Sequence, residues 1–199
     1  MDVKIRVATK GDCKDISRLI MDLAVHDKMS DQVKLSCDEL QRDGFSQNPL
    51  FECLVAEIAD ENKSKEGFTI IGYALYFYIY CTWKGRSMYL EDLYVMPEFR
   101  DWNIFCLMSL LMSSSGFGIG KSLLSNIAQV AKEKQCARLH LIVLNWNSHS
   151  LDFYTARGAQ DLTVKEGWHL VHFDGQSLDH LANETQQIRK CVSGEDKVV

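Results

Sequence analysis

A glycine-rich loop, Gly116 to Gly120, stands directly before an amphipathic helix and limits the possible folds more than any other feature of the chain. Apolar residues recur at helical spacing over 121–134, and a run typical of a strand follows at 137–144. Another strand pattern, 88–96, precedes the loop and ends at Pro97. Two strands joined through a helix lie parallel, so this half of the chain predicts a βαβ unit.

The rest of the chain predicts helices and an antiparallel meander. Alternating polar and apolar residues indicate a first strand over 3–7. Runs rich in apolar, aromatic and β-branched residues indicate strands over 51–58 and 69–80, and a last strand is expected over 168–173. Helical spacing predicts helices over 12–26 and 148–156, and Ser36 with Glu39 forms a capping box for a helix that ends at Gly44.

Together these elements predict an α/β (α+β) protein. We expect a mixed, mostly antiparallel sheet of six to seven strands, with helices on both faces and one parallel βαβ pair. A single domain is expected over 1–175, followed over 176–199 by a C-terminal helix and a flexible tail.

Composition excludes several classes of partner and site. The net charge of −5 disfavours nucleic acid, which needs a basic face. The seven cysteines are odd in number and form no C-x-x-C pair, so we expect neither a metal site nor a disulfide framework. With no secretory signal and no run of about 18 apolar residues, the expected location is cytoplasmic and no membrane partner is expected.

The glycine loop is a candidate cradle for phosphate, because the first amides of a helix are free and carry the positive end of its dipole. The alternative is a plain flexible turn. A Walker A loop is disfavoured, because Gly120-Lys121-Ser122 would need a glycine at 115 and that residue is Ser115.

Two further features carry possible chemistry. Glu91 and Asp92 are adjacent acids inside an apolar strand, and neighbouring strand residues point to opposite faces, so the two carboxyls should serve different environments. The alternative is an edge strand with acids facing water. Tyr154 lies one helical turn after Ser150, although a tyrosine there is also typical of core packing.

Taken together, these motifs resemble a known family. The acid pair in the strand, then Pro97 to Arg100, then the glycine loop resemble the acetyl-CoA-binding segment of the GNAT acetyltransferases. The pattern from Asn147 through Ser150 and Tyr154 to Ala159 resembles their second cofactor segment. Residues 31–34 and 82–86 are similar to the thialysine branch of the diamine acetyltransferases.

The resemblance implies a GNAT fold and N-acetyltransferase activity with acetyl-CoA as cosubstrate. It implies that Glu91 is the general base, acting through a water, and that Tyr154 is the general acid for the leaving thiolate. The implied substrate is a small cationic amine (thialysine, a diamine or a polyamine), and a homodimer is expected. The implied amine-binding residues are His26, Asp27, Glu91, Asp92 and Glu166.

The resemblance also implies how acetyl-CoA is held. The backbone of Leu93 and Val95 would pair with the pantetheine arm like an added strand. Arg100 and the loop amides would hold the pyrophosphate, and two polar residues would line the other side of the cofactor. The implied cofactor residues are Leu93, Val95, Arg100, Gly116, Phe117, Gly118, Ile119, Gly120, Lys121, Asn147 and Ser150.

One segment departs from the family pattern. Fifteen residues, 101–115, separate Arg100 from the glycine loop, whereas the family joins them directly. We interpret this insert as the product of a splice variant or a retained intron. Lengthening the loop costs only about 1 kcal/mol of closure entropy, so the fold should survive. The alternative function is therefore a catalytically impaired isoform that dimerises and acts as a binding or regulatory partner.

Overall fold

The computed structural model describes residues 2–100 and 118–192. The chain divides into two compact units, Met1–Leu144 and Asn145–Val199, which we call the sheet unit and the C-terminal unit. The predicted insert, 101–115, lies outside the described residues.

The sheet unit contains a five-stranded sheet in the order β1-β2-β3-β4-β5. The first four strands pair antiparallel, and β4 pairs with β5 in parallel. The predicted mixed sheet with one parallel pair is therefore confirmed. The strands are β1 Val3–Val7, β2 Glu52–Ile58, β3 Ile70–Cys81, β4 Gly85–Val95 and β5 Arg138–His140.

The predicted strand count was too high, since the described residues form five strands rather than six or seven. The strand expected over 168–173 is absent, and its apolar side chains Trp168, Leu170, Val171 and Phe173 are exposed. A run of apolar and aromatic residues is typical of a strand, but a strand forms only where a neighbouring backbone pairs with it. The strand expected over 137–144 is likewise shortened to Arg138–His140.

In its described part, the sheet unit also contains three α-helices: α1 Cys13–His26, α2 Cys37–Gly44 and α3 Ile119–Glu133. Helix α3 buries Ile119, Leu123, Ile127 and Ala131, a single stripe at a spacing of four residues. The predicted capping box of α2 is present, with Ser36 and Glu39 each accepting from the other's backbone N–H.

Buried core residues lie on both faces of the sheet. Neighbouring residues of a strand point to opposite faces, yet Cys53, Leu54, Val55 and Ala56 are all buried. Both faces are therefore covered, which agrees with the predicted helices on either side of the sheet.

A charged network joins β1 to the start of α1. Arg6 donates to both oxygens of Asp12, at 2.7 and 2.9 Å, and its Nε donates to Glu57 at 2.7 Å. The Arg6 hydrogen bond lowers the pKa of Asp12 to about 2, helped by donors from Thr9. This bidentate geometry fixes the entry into α1.

The C-terminal unit consists of helices in its described part: α4 Ser148–Thr155, α5 Leu162–Glu166 and α6 Gly175–Val192. Side chains cap two of them, because Asn147 accepts from the N–H of Ser150 and Asp161 accepts from those of Thr163 and Val164. Within residues 2–100 and 118–192, none of the helices combines the length and the apolar character that a membrane span needs.

Candidate active site

A β-bulge in β4 singles out one of the two predicted acids. The pairing with β3 shifts register at this point, since Leu75 pairs with Asp92 and Tyr76 with Leu90. Glu91 is therefore the extra residue, has no partner on β3, and is exposed. Bulges turn a side chain out of the regular alternation and are frequent beside active sites. The Glu91 carboxylate is therefore accessible to solvent.

The neighbouring acid, Asp92, lies in a different environment. It is partly buried, and its Oδ2 accepts a hydrogen bond of 2.9 Å from the hydroxyl of Tyr73, which is completely buried. Burial raises the pKa of Asp92 to about 6; Glu91 and Asp27 add to this effect, and the Tyr73 bond opposes it. The two adjacent carboxyls thus differ in exposure and in hydrogen bonding, through the bulge rather than through simple alternation.

A third carboxyl comes from the end of α1. Burial raises the pKa of Asp27, and the nearby charges of His26 and Arg100 oppose that change. Its Oδ1 is buried and has no hydrogen-bond partner in the described part of the chain. Asp27 is close enough to Asp92 to raise the pKa of that residue. Two partly buried carboxyls with an unsatisfied oxygen form an arrangement that a cationic donor would complete.

Beyond the bulge, the edge of β4 that faces away from β3 carries no strand in the described residues. In the described structure β5 pairs with β4 only over Ser87, Met88 and Tyr89. The backbone of Leu93 and Val95 therefore has no strand beside it on that edge within residues 2–100 and 118–192. An extended molecule with amide groups could pair there, which is the arrangement predicted for the pantetheine arm.

Arg100 already occupies one of these backbone groups. Its Nε donates to the carbonyl oxygen of Val95 at 2.7 Å, and its guanidinium lies 4.9 Å from the ring centre of Tyr94. Arg100 was predicted to hold pyrophosphate and Val95 to pair with pantetheine. In this structure the two residues are bonded to each other.

The described part of the glycine loop forms the start of α3. Gly118 is the N-cap with φ +57°, a left-handed conformation that favours glycine. The first hydrogen bond of the helix runs from the N–H of Ser122 to Gly118, so the amides of Ile119, Gly120 and Lys121 precede it. These amides are suited to an anion. Gly116 and Phe117 lie outside the described residues.

The remaining predicted residues lie in the C-terminal unit. Asn147 caps α4 through its contact of 3.1 Å with the N–H of Ser150. Tyr154 is partly buried one turn further on, with its ring edge-on to Phe153 at 5.1 Å between centroids. Glu166 is exposed and accepts a hydrogen bond of 2.7 Å from the indole of Trp168.

Tyr73 is a residue that the sequence analysis missed. It falls in a strand of apolar and aromatic residues, where a tyrosine is expected to pack in the core. The available signal was chemical, since a buried tyrosine hydroxyl needs a partner and Asp92 is an acid on the next strand.

Comparison with known proteins identifies the family. The acetyltransferase (GNAT) family model matches residues 110–159. The thialysine N-epsilon-acetyltransferase of Bos taurus is 46% identical over 182 residues, covering 92% of this chain and 98% of that protein. The protein of the same name from Sus scrofa is 44% identical, with the same coverage of both chains. This chain belongs to the GNAT acetyltransferases.

The resemblance seen in the sequence, to the diamine and thialysine acetyltransferases of this family, is confirmed. The chain is an N-acetyltransferase, and GNAT acetyltransferases use acetyl-CoA as cosubstrate. Among solved structures, an integron cassette protein from the mobile metagenome of V. cholerae has a TM-score of 0.65 at 22% identity, over 92% of this chain and 98% of its own. That likeness supports the fold of the acetyltransferase.

Proposed function

We propose that this chain transfers the acetyl group of acetyl-CoA to a primary amino group of a small cationic amine. The observation that carries the proposal is the bulge at Glu91, which presents an exposed carboxylate beside the partly buried Asp92 and beside an open strand edge. Two relatives of similar length are named for acetylating thialysine, an amine of this class.

The substrate is charged when it arrives, because an alkyl amine has a pKa near 10. Asp27 and Asp92 offer negative charge and an unsatisfied oxygen to this ammonium. Glu91 takes a proton from it, through a water, as the general base. The deprotonated amine is then the nucleophile.

Acetyl-CoA supplies the acyl group. Residues of this chain bind the cofactor and transfer the protons. The backbone of Leu93 and Val95 pairs with the pantetheine arm along the open edge of β4, and the first amides of α3 with Arg100 hold the pyrophosphate. Asn147 and Ser150 also bind the cofactor, as the family resemblance implies. Tyr154 donates its hydroxyl proton to the leaving coenzyme A thiolate.

The remaining amine contacts are assigned to His26 and Glu166, and the active form to a homodimer, as the family resemblance implies. Light scattering coupled to size exclusion tests the dimer, because a single species near the monomer mass of 22.7 kDa would remove it from the proposal.

The test of the activity is thiol release from acetyl-CoA by the purified chain, with thialysine, putrescine, spermidine and spermine as acceptors. Tyr154→Phe is expected to lower kcat by about 100-fold or more, because a positioned general acid contributes about that much. Tyr80→Phe removes a hydroxyl from an exposed tyrosine and is the matched control. Equal rates for the two variants would refute the role of Tyr154.

A second candidate function is a catalytically impaired isoform that acts by binding. The bond between Arg100 and the Val95 carbonyl favours it, because that carbonyl is one that the pantetheine arm would use. A version lacking 101–115, assayed beside the intact chain, separates the two functions. Turnover by the intact chain supports the enzyme, whereas turnover only after the deletion supports the impaired isoform.

A further inference from the structure

The Tyr73–Asp92 hydrogen bond lies on one face of the sheet, between neighbouring strands. Tyr73 pairs with Tyr94 and Leu75 pairs with Asp92, so Tyr73 and Asp92 are diagonal neighbours across β3 and β4. The hydroxyl lies 2.9 Å from Oδ2. In the described part of the chain this is the one hydrogen bond that the Asp92 carboxyl makes.

We propose that Tyr73 is a positioning residue for amine acetylation: its hydroxyl fixes one oxygen of Asp92 and keeps that carboxyl charged, so that the second oxygen can bind the cationic substrate. The inference rests on the proposed function, since it assumes that the reaction uses the charge of Asp92.

The other influences on Asp92 favour its neutral form. Burial acts first, and the negative charges of Glu91 and Asp27 act in the same direction. Within the described structure, Tyr73 is the group that favours the charged carboxylate. Burial raises the pKa of Tyr73 far above its usual value, and the Asp92 charge adds to this, so the hydroxyl stays protonated and remains a donor.

The titratable and charged groups near Asp92 come from four elements. Tyr73 on β3, Glu91 on β4 and Asp27 at the end of α1 act on Asp92 directly. His26 and Arg100 act on Asp27, and Asp92 itself acts on Cys53 of β2. Burial keeps Cys53 a neutral thiol by raising its pKa. Asp27 and Glu91 are common to the intact chain and to a Tyr73 variant, so their effects cancel in a comparison.

Removing the hydroxyl should therefore move the titration of Asp92 and leave the rest of the site in place. Burial raises the pKa of Asp92 to about 6 in the intact chain. Loss of one hydrogen bond to a charged acceptor is expected to raise its proton affinity by about tenfold, which places the midpoint about one pH unit higher. At pH values below both midpoints, kcat/KM for the amine should be about tenfold lower in Tyr73→Phe than in the intact chain. Well above both midpoints the two proteins should have the same kcat/KM.

The first experiment measures kcat/KM for the amine against pH, from about 5.5 to 9, for the intact chain and for Tyr73→Phe. The ratio of kcat/KM in the intact chain to kcat/KM in Tyr73→Phe is expected to fall from about tenfold at the acid end to about one at the basic end. The change is expected in KM rather than in kcat. Damage to packing alone would give a ratio independent of pH, which would overturn the proposal.

The matched control is Tyr76→Phe. Tyr76 lies on the same strand, is also buried, and donates its hydroxyl to Glu52 at 2.8 Å instead of to Asp92. The ratio of kcat/KM in the intact chain to kcat/KM in Tyr76→Phe is expected to be independent of pH across this range. A slope in Tyr76→Phe as steep as that in Tyr73→Phe would also overturn the proposal, because the effect would then not pass through Asp92.

A second measurement does not depend on activity. The ¹³Cγ signal of Asp92, assigned by its absence in Asp92→Asn, is titrated in the intact chain and in Tyr73→Phe. The midpoint is expected to rise by about one pH unit in the variant. An unchanged midpoint refutes the role of Tyr73 whatever the activity is, whereas a shifted midpoint in a chain without turnover would point to failure of the proposed function instead.

Discussion

Replacing Asp92 with asparagine is expected to stabilise the protein while it removes activity. Burial raises the pKa of Asp92 from 3.8 to about 6, which corresponds to about 3 kcal/mol at about 1.4 kcal/mol per pH unit. That free energy is the penalty for keeping the carboxylate charged in the folded state at neutral pH. Asparagine has nearly the same shape and can still accept the Tyr73 hydroxyl, but it carries no charge.

The pH dependence gives this prediction its sign. The folded state holds its proton on Asp92 more tightly than the unfolded chain, so between about pH 4 and pH 6 folding takes up a proton. The contribution of Asp92 to stability is therefore lost as the pH rises through that window. The free energy of unfolding of Asp92→Asn should exceed that of the intact chain by up to about 3 kcal/mol at pH 7. This difference should disappear near pH 4.

Urea unfolding at a series of pH values measures the difference, and thermal unfolding at pH 7 should show a gain of about 6–12 °C for a chain of this size. Glu91→Gln is the control, because Glu91 is exposed and its replacement should change stability by less than about 0.5 kcal/mol. An Asp92→Asn protein that is no more stable at pH 7, or whose advantage is the same at pH 4, would contradict the reasoning.

Three further substitutions test the fold and the loop. Asp12→Asn should destabilise the protein by about 2 kcal/mol at pH 7, because the Arg6 hydrogen bonds lower the pKa of Asp12 to about 2. In urea unfolding, this loss of stability should shrink as the pH falls from about 4 to 2. A loss that is the same at every pH would refute the explanation. Leu123→Ala removes a fully buried side chain of α3 and should cost about 2–5 kcal/mol in the same assay, whereas a loss below about 1 kcal/mol would mean that the site is not well packed. Gly118→Ala places a Cβ at φ +57° and should cost about 1–2 kcal/mol and raise the KM for acetyl-CoA more than that for the amine; an equal rise in both would argue against a role in cofactor binding.

The sequence predicted the elements whose pattern is local. The stripe of α3, with Leu123 and Ile127 on one face, and the capping box of Ser36 and Glu39 depend on residues three or four apart, which interact whatever the rest of the chain does. The expected strand over 168–173 was wrong because a strand depends on a partner distant in sequence. The apolar pattern alone does not supply that partner.

The candidate site divides in the same way. The acid pair could be found from its unusual place inside an apolar strand, and the glycine loop from its place before a helix. The bulge could not be found from the sequence, because it is a shift in the pairing register between β3 and β4. The sequence of either strand taken alone does not show it. The Tyr73–Asp92 bond is hidden for a related reason, since it needs the register that the bulge sets.

The bulge also links Glu91, the proposed general base, to the strand edge where the pantetheine arm is proposed to pair. β4 pairs with β5 as far as Tyr89, and the bulge follows at Glu91. Leu93 and Val95 come after it and have no strand beside them on that edge in the described part of the chain. Bulges increase the local twist of a strand, so the bulge can turn β4 away from β5 and leave room for the pantetheine arm. One irregularity would then both expose the base and open the cofactor groove.

Deleting Glu91 separates this explanation from a simple loss of the carboxylate. The deletion should restore a regular ladder, because Leu90 and Asp92 would then pair with the adjacent residues Tyr76 and Leu75. With less twist, β5 could extend along β4 and cover the edge. The loss of about two backbone hydrogen bonds to coenzyme A predicts binding about 10- to 100-fold weaker by calorimetry. Glu91→Gln keeps the bulge and should bind coenzyme A as the intact chain does. If the deletion variant folds and binds coenzyme A equally well, the bulge positions the base alone and the groove is held open by other residues.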